Sequence, residues 1–226
     1  MVAIIDLDTV GVWESATNRL VQTFEAGMFA GGLISPDGSV AFTFQDEAGR
    51  PNGRFWDVET GQELRSLEHL GGILGAVFSP DGRYVLASGR DSIARIWDVD
   101  SASVVRELEG HTNIMWRVAW SPDGRYVFTT SQDKSARMWD AETGQQLRYF
   151  PGHALSSVAD IAVAPDGVTV AIGSYDGTTQ LALTDVGTLM ESVCERLLRD
   201  FTPEERVIYG ITDERPTCPS ASVDAS

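Results

Sequence analysis

The sequence predicts an all-β repeat fold, a partial and open β-propeller of four-stranded blades, and three observations carry that prediction. A turn-forming tetrapeptide recurs as Ser35-Pro36-Asp37-Gly38, Ser79-Pro80-Asp81-Gly82, Ser121-Pro122-Asp123-Gly124 and Ala164-Pro165-Asp166-Gly167, with prolines 44, 42 and 43 residues apart. A tryptophan-acid pair keeps the same period at Trp13-Glu14, Trp56-Asp57, Trp97-Asp98 and Trp139-Asp140, in steps of 43, 41 and 42. Between these marks, short β-branched and aromatic runs alternate with polar turns. Two marks sharing one period signal a repeat architecture, and four short antiparallel strands per period make a propeller blade. Stacked units bury their faces only against one another, so function usually lies on the surface they share.

The elements are clearest in residues 112–153. Residues 114–120 form an apolar first strand that ends in the tetrapeptide. That tetrapeptide suits a type I turn, with Ser at the first corner, Pro at the second with its φ preset, and Gly at the fourth. Residues 126–130 make the second strand, Gln132-Asp133-Lys134 a turn, residues 136–139 the third strand, Glu142-Thr143-Gly144-Gln145 a turn, and residues 146–150 the fourth. Carried along the chain, the pattern gives an incomplete N-terminal blade at 1–27 and blades at 28–69, 70–111 and 112–153. An incomplete last blade at 154–190 and a helical tail at 191–226 follow.

The first blade opens at a third strand, around Val10 to Trp13, with a fourth over residues 19–24 and too little ahead to complete it. The last unit has strands over 158–163, 169–173 and 179–184, and its tryptophan is gone. Pairing of residues 19–24 with 179–184 would close a four-bladed ring. An open arc is expected instead, which leaves Val10, Val12 and Trp13 at one end, and Ile172, Leu181 and Leu183 at the other, poorly covered and prone to self-association. In the tail, Val193, Leu197 and Leu198 recur at helical spacing, and Thr202-Pro203-Glu204-Glu205 reads as the start of a second short helix stopped by Gly210.

Over about residues 9–186 the chain resembles the WD-repeat β-propellers. Besides the two periodic marks, the family's Gly-His opening stands at Gly110-His111 and Gly152-His153, with Glu68-His69 a departure that keeps the histidine. The histidine precedes the turn by ten residues for His69 and His111, and by eleven for His153. The resemblance implies that His111, Ser131, Asp133 and Trp139 form a structural hydrogen-bond chain tying one blade together. It also implies erosion elsewhere, with Gly89 standing where Ser131 would be and no tryptophan after His153, Ser174 and Asp176. Residues 194–219 look like the C-terminal extension of large bacterial multi-repeat WD proteins, which implies a genuine C-terminus with further blades before Met1.

Composition narrows the function classes. Seven blades need on the order of 300 residues, and this chain has 226. A formal charge of −16 argues against bulk attraction to nucleic acid or anionic membrane, since both are negative themselves. The start lacks a basic region and a long apolar stretch, so a cytoplasmic protein is expected, and Cys194 and Cys218 are too few for a disulfide scaffold or a four-cysteine zinc site.

His111, Ser131 and Asp133 are also the residue types of a hydrolytic triad. Other catalytic signatures are missing: the single lysine, Lys134, lacks the glycines of a phosphate loop, and one carboxylate per turn cannot build a calcium shell. No cofactor, metal or catalytic residue is expected. Two binding positions are expected: Trp116 and Arg117 on an inner strand, and the long turn between Asp46 and Trp56 that carries Arg50 and Asn52. The favoured function is a non-catalytic protein-protein interaction scaffold or sensor. The alternatives are a propeller lyase or hydrolase with a channel site, and a gene remnant without a partner.

Overall fold

The tetrapeptide turns frame the molecule through their own side chains. In each of the first three, the serine hydroxyl donates to the aspartate two residues on, at 2.6 Å from Ser35 to Asp37, Ser79 to Asp81 and Ser121 to Asp123. The same hydroxyl accepts the amide that opens the next strand, from Val40, Tyr84 or Tyr126, and the glycine amide closes the turn on the serine carbonyl. Gly38, Gly82, Gly124 and Gly167 sit at φ between 71° and 80°, which other residues adopt only at a cost. A side-chain carbon added at Gly82, Gly124 or Gly167 would lie 3.4 to 3.8 Å from the proline ring of the preceding turn. The repeated tetrapeptide therefore stacks Pro against Gly from one unit to the next, as well as turning the chain.

The computed structural model describes residues 2–5, 9–25, 30–46, 52–151 and 157–184, and every regular element among them is a β-strand. The first sheet holds β1 (Val2–Ile5), β2 (Thr9–Glu14) and β3 (Arg19–Glu25). The second holds β4 (Ala30–Ile34), β5 (Val40–Gln45), β6 (Gly53–Asp57) and β7 (Glu63–Leu67). The third is β8 (Gly75–Phe78), β9 (Tyr84–Ser88), β10 (Ile93–Asp98) and β11 (Ser103–Glu109). The fourth is β12 (Met115–Trp120), β13 (Tyr126–Ser131), β14 (Ser135–Asp140) and β15 (Gln146–Pro151). The fifth is β16 (Val158–Val163), β17 (Thr169–Ser174) and β18 (Thr179–Leu183). All are antiparallel meanders with strands in chain order.

A register shift just before Trp13, Trp56, Trp97 and Trp139 marks a bulge between the last two strands of each of the first four sheets. Bulges re-aim side chains, and here each precedes the large ring of the blade. The acid after the tryptophan organises the following turn. Asp57, Asp98 and Asp140 each accept the amide and hydroxyl of the residue three on, at 2.7 to 2.9 Å.

The core lies between sheets. Phe42, Phe55 and Leu67 of the second pack on Phe78, Val85 and Trp97 of the third. Leu86, Ile96 and Leu108 of the third meet Met115, Val127 and Trp139 of the fourth, whose Phe128, Met138 and Phe150 meet Val158, Ile161 and Ile172 of the fifth. Each fully buried side chain of this size contributes about 1.5 to 3 kcal/mol relative to exposure. Most of the stabilising area therefore belongs to pairs of neighbouring sheets.

The structure departs from the sequence reading at the ends. The first sheet has three strands, because Val2–Ile5 pairs with β2 from Val2 opposite Trp13 to Ile5 opposite Val10. Val10, Val12 and Ile172 are buried, contrary to expectation, since the alternation of β2 and β17 turns them toward the neighbouring sheet. Leu181 is 72% exposed and is the one residue of that set left open. β3 pairs only with β2 and β18 only with β17 among the described residues, so residues 19–24 do not close a ring on 179–184. The helices expected beyond residue 190 lie outside the described residues.

Candidate functional site

His111 is the centre of a polar chain buried inside the fourth sheet. Its Nδ1 lies 2.7 Å from the Asp133 carboxylate and its Nε2 lies 2.8 Å from the Thr129 hydroxyl, which also accepts the Trp139 indole N–H at 2.9 Å. Burial lowers the histidine's pKa, and the Asp133 contact offsets only part of that. The ring is therefore neutral at pH 7: Nδ1–H donates to Asp133, Thr129 donates to Nε2, and Trp139 donates to Thr129. Burial alone would raise the Asp133 carboxyl, but hydrogen bonds from Ser135 and His111 outweigh it and hold the group below its ordinary range. Asp133 also accepts the amides of Thr112 and Ser135, which ties the loop ahead of β12 to the turn between β13 and β14.

Ser131 joins this chain only at the Asp133 amide, and Thr129 makes the contacts to His111 and Trp139. The Ser131 side chain is buried and hydrogen-bonds the carbonyls of Asn113 and Ile114 and the Asp133 amide. Two residues along a strand return to the same face, so Thr129 and Ser131 share a side of β13, and the register that sets Trp139 opposite Val127 brings only Thr129 near its ring. In the second sheet Thr43 takes the Trp56 indole N–H at 2.9 Å in the same way. Thr43 and Thr129 both stand eight residues after the tetrapeptide serine, a spacing that marks this position in the sequence.

At that step the third sheet has Ala87, so the loss lies there and not at Gly89. Among the described residues, the buried Trp97 indole N–H and His69 Nδ1 have no hydrogen-bond partner. Arg95 takes over part of the missing contact: it donates to Asp91 at 2.6 Å and to Glu107 at 2.9 Å, and one terminal nitrogen lies 3.3 Å from His69 Nε2. Burial, with the charge of Arg95 adding to it against the pull of Asp91, pushes the His69 pKa down to about 4. At the matching position of the fourth sheet, Arg137 donates to Gln146 at 2.6 Å and lies 3.8 Å from the Asp133 carboxylate.

The expected binding residues divide. Trp116 is half-buried on β12, its ring edge-on to Tyr175 at 6.5 Å and 80°, and Tyr175 is 65% exposed. Arg117 beside it is exposed. Asn52, expected at the surface, is buried: its amide donates to the His69 carbonyl at 2.7 Å and accepts the His69 amide at 2.8 Å. It clamps the end of the long turn to the next unit, where a binding residue would have to face solvent. Arg50 lies outside the described residues. Among those residues, no group of three His, Cys, Asp or Glu side chains could hold a metal ion.

The family model described as WD domain, G-beta repeat matches residues 61–98, 102–140 and 144–181, together just over half of the chain. The chain belongs to the WD-repeat family. Each matched repeat starts on or just before the fourth strand of one sheet and ends at or near the end of the third strand of the next. A WD repeat here thus straddles two sheets and fastens them covalently. The chain is 34% identical over 68 residues to a coronin-like protein of Saccharomyces cerevisiae, covering 30% of this chain and 10% of that protein. It is 39% identical over 64 residues to nuclear distribution protein nudF of Aspergillus niger, covering 27% and 14%. It is 28% identical over 107 residues to the serine-threonine kinase receptor-associated protein of Bos taurus, covering 46% and 30%. The chain therefore spans less than a third of the length of these WD-repeat relatives.

Proposed function

We propose that this WD-repeat chain is a non-catalytic protein-interaction module whose contact surface includes Trp116, Arg117 and Tyr175, and that it works in a cytoplasmic setting within a longer array of such sheets. The observation that carries the reading is the closure of the polar chain. Every hydrogen-bonding atom of His111 and the Thr129 hydroxyl is committed inside the sheet, and Ser131 is tied to backbone. A general base needs a nucleophile with an open approach for substrate, and none stands beside this histidine. Trp, Tyr and Arg are the types most enriched at binding hot spots, and here they lie together on one strand and a neighbouring turn. The name of the bovine relative, a receptor-associated protein, is in keeping with binding to a protein.

The test uses the folded chain as bait at matched concentration, wild type against the Trp116→Ala, Arg117→Glu double variant. The reading expects at least one stoichiometric protein partner that the double variant loses about tenfold or more, in line with a hot-spot residue. Capture unaffected by the double variant contradicts the proposed surface. Hydrolysis of an ester probe that disappears in a folded Ser131→Ala variant contradicts the non-catalytic reading.

A further inference from the structure

A groove of about 540 Å³ runs between the third and fourth sheets, on the side where the tetrapeptide turns lie. Its floor is apolar: Tyr84, Ile96 and Val105 from the third sheet, and Trp120 from the end of β12. Tyr84, Val105 and Trp120 are the half-buried fringe of the core cluster joining these two sheets, so the groove is a part of that interface that the chain leaves uncovered. The residue before the turn is Ile34, Phe78, Trp120 and Val163 in successive units, and the largest ring stands in this groove. The Trp120 indole N–H is itself buried, with no acceptor among the described residues.

The walls are acidic. Asp81 and Asp123 each use one carboxylate oxygen inside their own turn, for the serine hydroxyl and the amide of Arg83 or Arg125. Glu142 contributes a third carboxylate to the lining. The one cation of the lining is Arg106, which donates to the backbone carbonyls of Glu142 and Val105 and so neutralises no carboxylate directly. Outside the lining, Arg83 and Arg125 lie over the Tyr84 and Tyr126 rings at 5.3 Å, and against the effect of burial their charge helps the serine hydrogen bonds to hold the Asp81 and Asp123 carboxyls below the ordinary range. Three carboxylates against one guanidinium leave the lining net negative, on a chain of formal charge −16.

We propose that this inter-sheet groove is a second protein-contact site, distinct from the Trp116 surface, and that it takes a basic linear peptide segment. An arginine or lysine side chain matches both halves of the site. Its aliphatic stem lies along Tyr84, Val105 and Trp120 while its charged head meets Asp81, Asp123 and Glu142. The groove volume falls within the range of formed ligand pockets.

The experiment titrates the full chain, labelled with ¹⁵N, with the blocked peptide acetyl-Arg-Leu-Arg-Leu-Arg-Leu-amide at about 150 mM salt, where only short-range charge contacts survive screening. Indole N–H signals are read, with Trp120→Phe assigning the Trp120 signal. The proposal expects a saturable shift at Trp120 with little change at Trp116, and no shift with the peptide in which Glu replaces each Arg. Glu142→Lys, whose wild-type carboxylate makes no hydrogen bond or ion pair among the described residues, should weaken binding about tenfold without altering the other indole signals. No saturable shift at Trp120 overturns the proposal. So does an equal response to the acidic peptide, or undiminished affinity in Glu142→Lys. The Trp116→Ala, Arg117→Glu variant should bind this peptide normally, so failure here and failure of the Trp116 surface are told apart.

Discussion

The third and fourth sheets are built to one plan and differ at a few buried positions, of which the hydroxyl of Thr129 is the centre. Both have four strands, the serine-aspartate turn, the bulge before the tryptophan, a buried histidine and an aspartate in the following turn. In the fourth sheet the Thr129 hydroxyl joins Trp139 to His111, whereas in the third Ala87 leaves the buried Trp97 indole N–H without an acceptor among the described residues, and His69 Nδ1 stands 4.0 Å from Asp91. The third sheet forms nonetheless. Fold is therefore dictated by the turn chemistry and the apolar faces, and the polar chain is a local reinforcement that one sheet holds and the other lacks. Arg95, turned inward to His69, shows the third sheet adapting to the loss.

The largest expected effect comes from the ring both sheets share. Trp139→Ala removes a residue 1% exposed at the centre of the cluster between the third and fourth sheets, and should cost about 3 to 5 kcal/mol in urea unfolding. A cost under about 1 kcal/mol would mean the fourth sheet is not held through this interface.

Acid should separate the two sheets next. His69 has a folded pKa of about 4 against an ordinary 6.5, so the unfolded chain takes up its proton first as pH falls. Stability attached to His69 is thus complete above pH 6.5 and is lost progressively toward pH 4, by about 3 kcal/mol in all. His111 acts in the same direction, while Asp133, lowered from 3.8, loses its contribution only in stronger acid. Urea midpoints measured between pH 7 and 4 should fall steeply for the wild type and much less for His69→Gln. Parallel curves would remove His69 from the account.

Thr129→Ala gives the fourth sheet the alanine of the third. It strands the Trp139 N–H and His111 Nε2, and should cost about 1 to 3 kcal/mol, above what Ser131→Ala costs. The reverse order in chemical denaturation would return Ser131 to the centre of the chain.

Much of this was legible in the sequence, and the misses have physical reasons. The period, the turns and the His111, Asp133 and Trp139 members stand at fixed spacings because each is a backbone-shaping residue at a set place in the blade. Alternation along β13 puts Ser131 and Thr129 on one face, and the register against β14, which decides between them, is not marked at either residue. The paired spacing of Thr43 and Thr129 from their turns carried the answer. β1 was missed because Val2–Ile5 is a short apolar run with no turn marker before it. Asn52 was taken for a surface residue because its burial depends on the loop at His69, seventeen residues away.

The most direct test of the central claim, that the buried polar chain is a structural reinforcement, is the urea unfolding midpoint of Ala87→Thr. Ala87 lies fully buried at the step Thr129 occupies in the next sheet, so the new hydroxyl can meet the Trp97 indole N–H and the His69 ring. The account predicts a midpoint raised by about 1 kcal/mol of stability at unchanged slope, while Ala87→Val, which adds bulk without a hydroxyl, gains nothing. A midpoint that stays put or falls in a folded Ala87→Thr protein, or rises equally with valine, would contradict it.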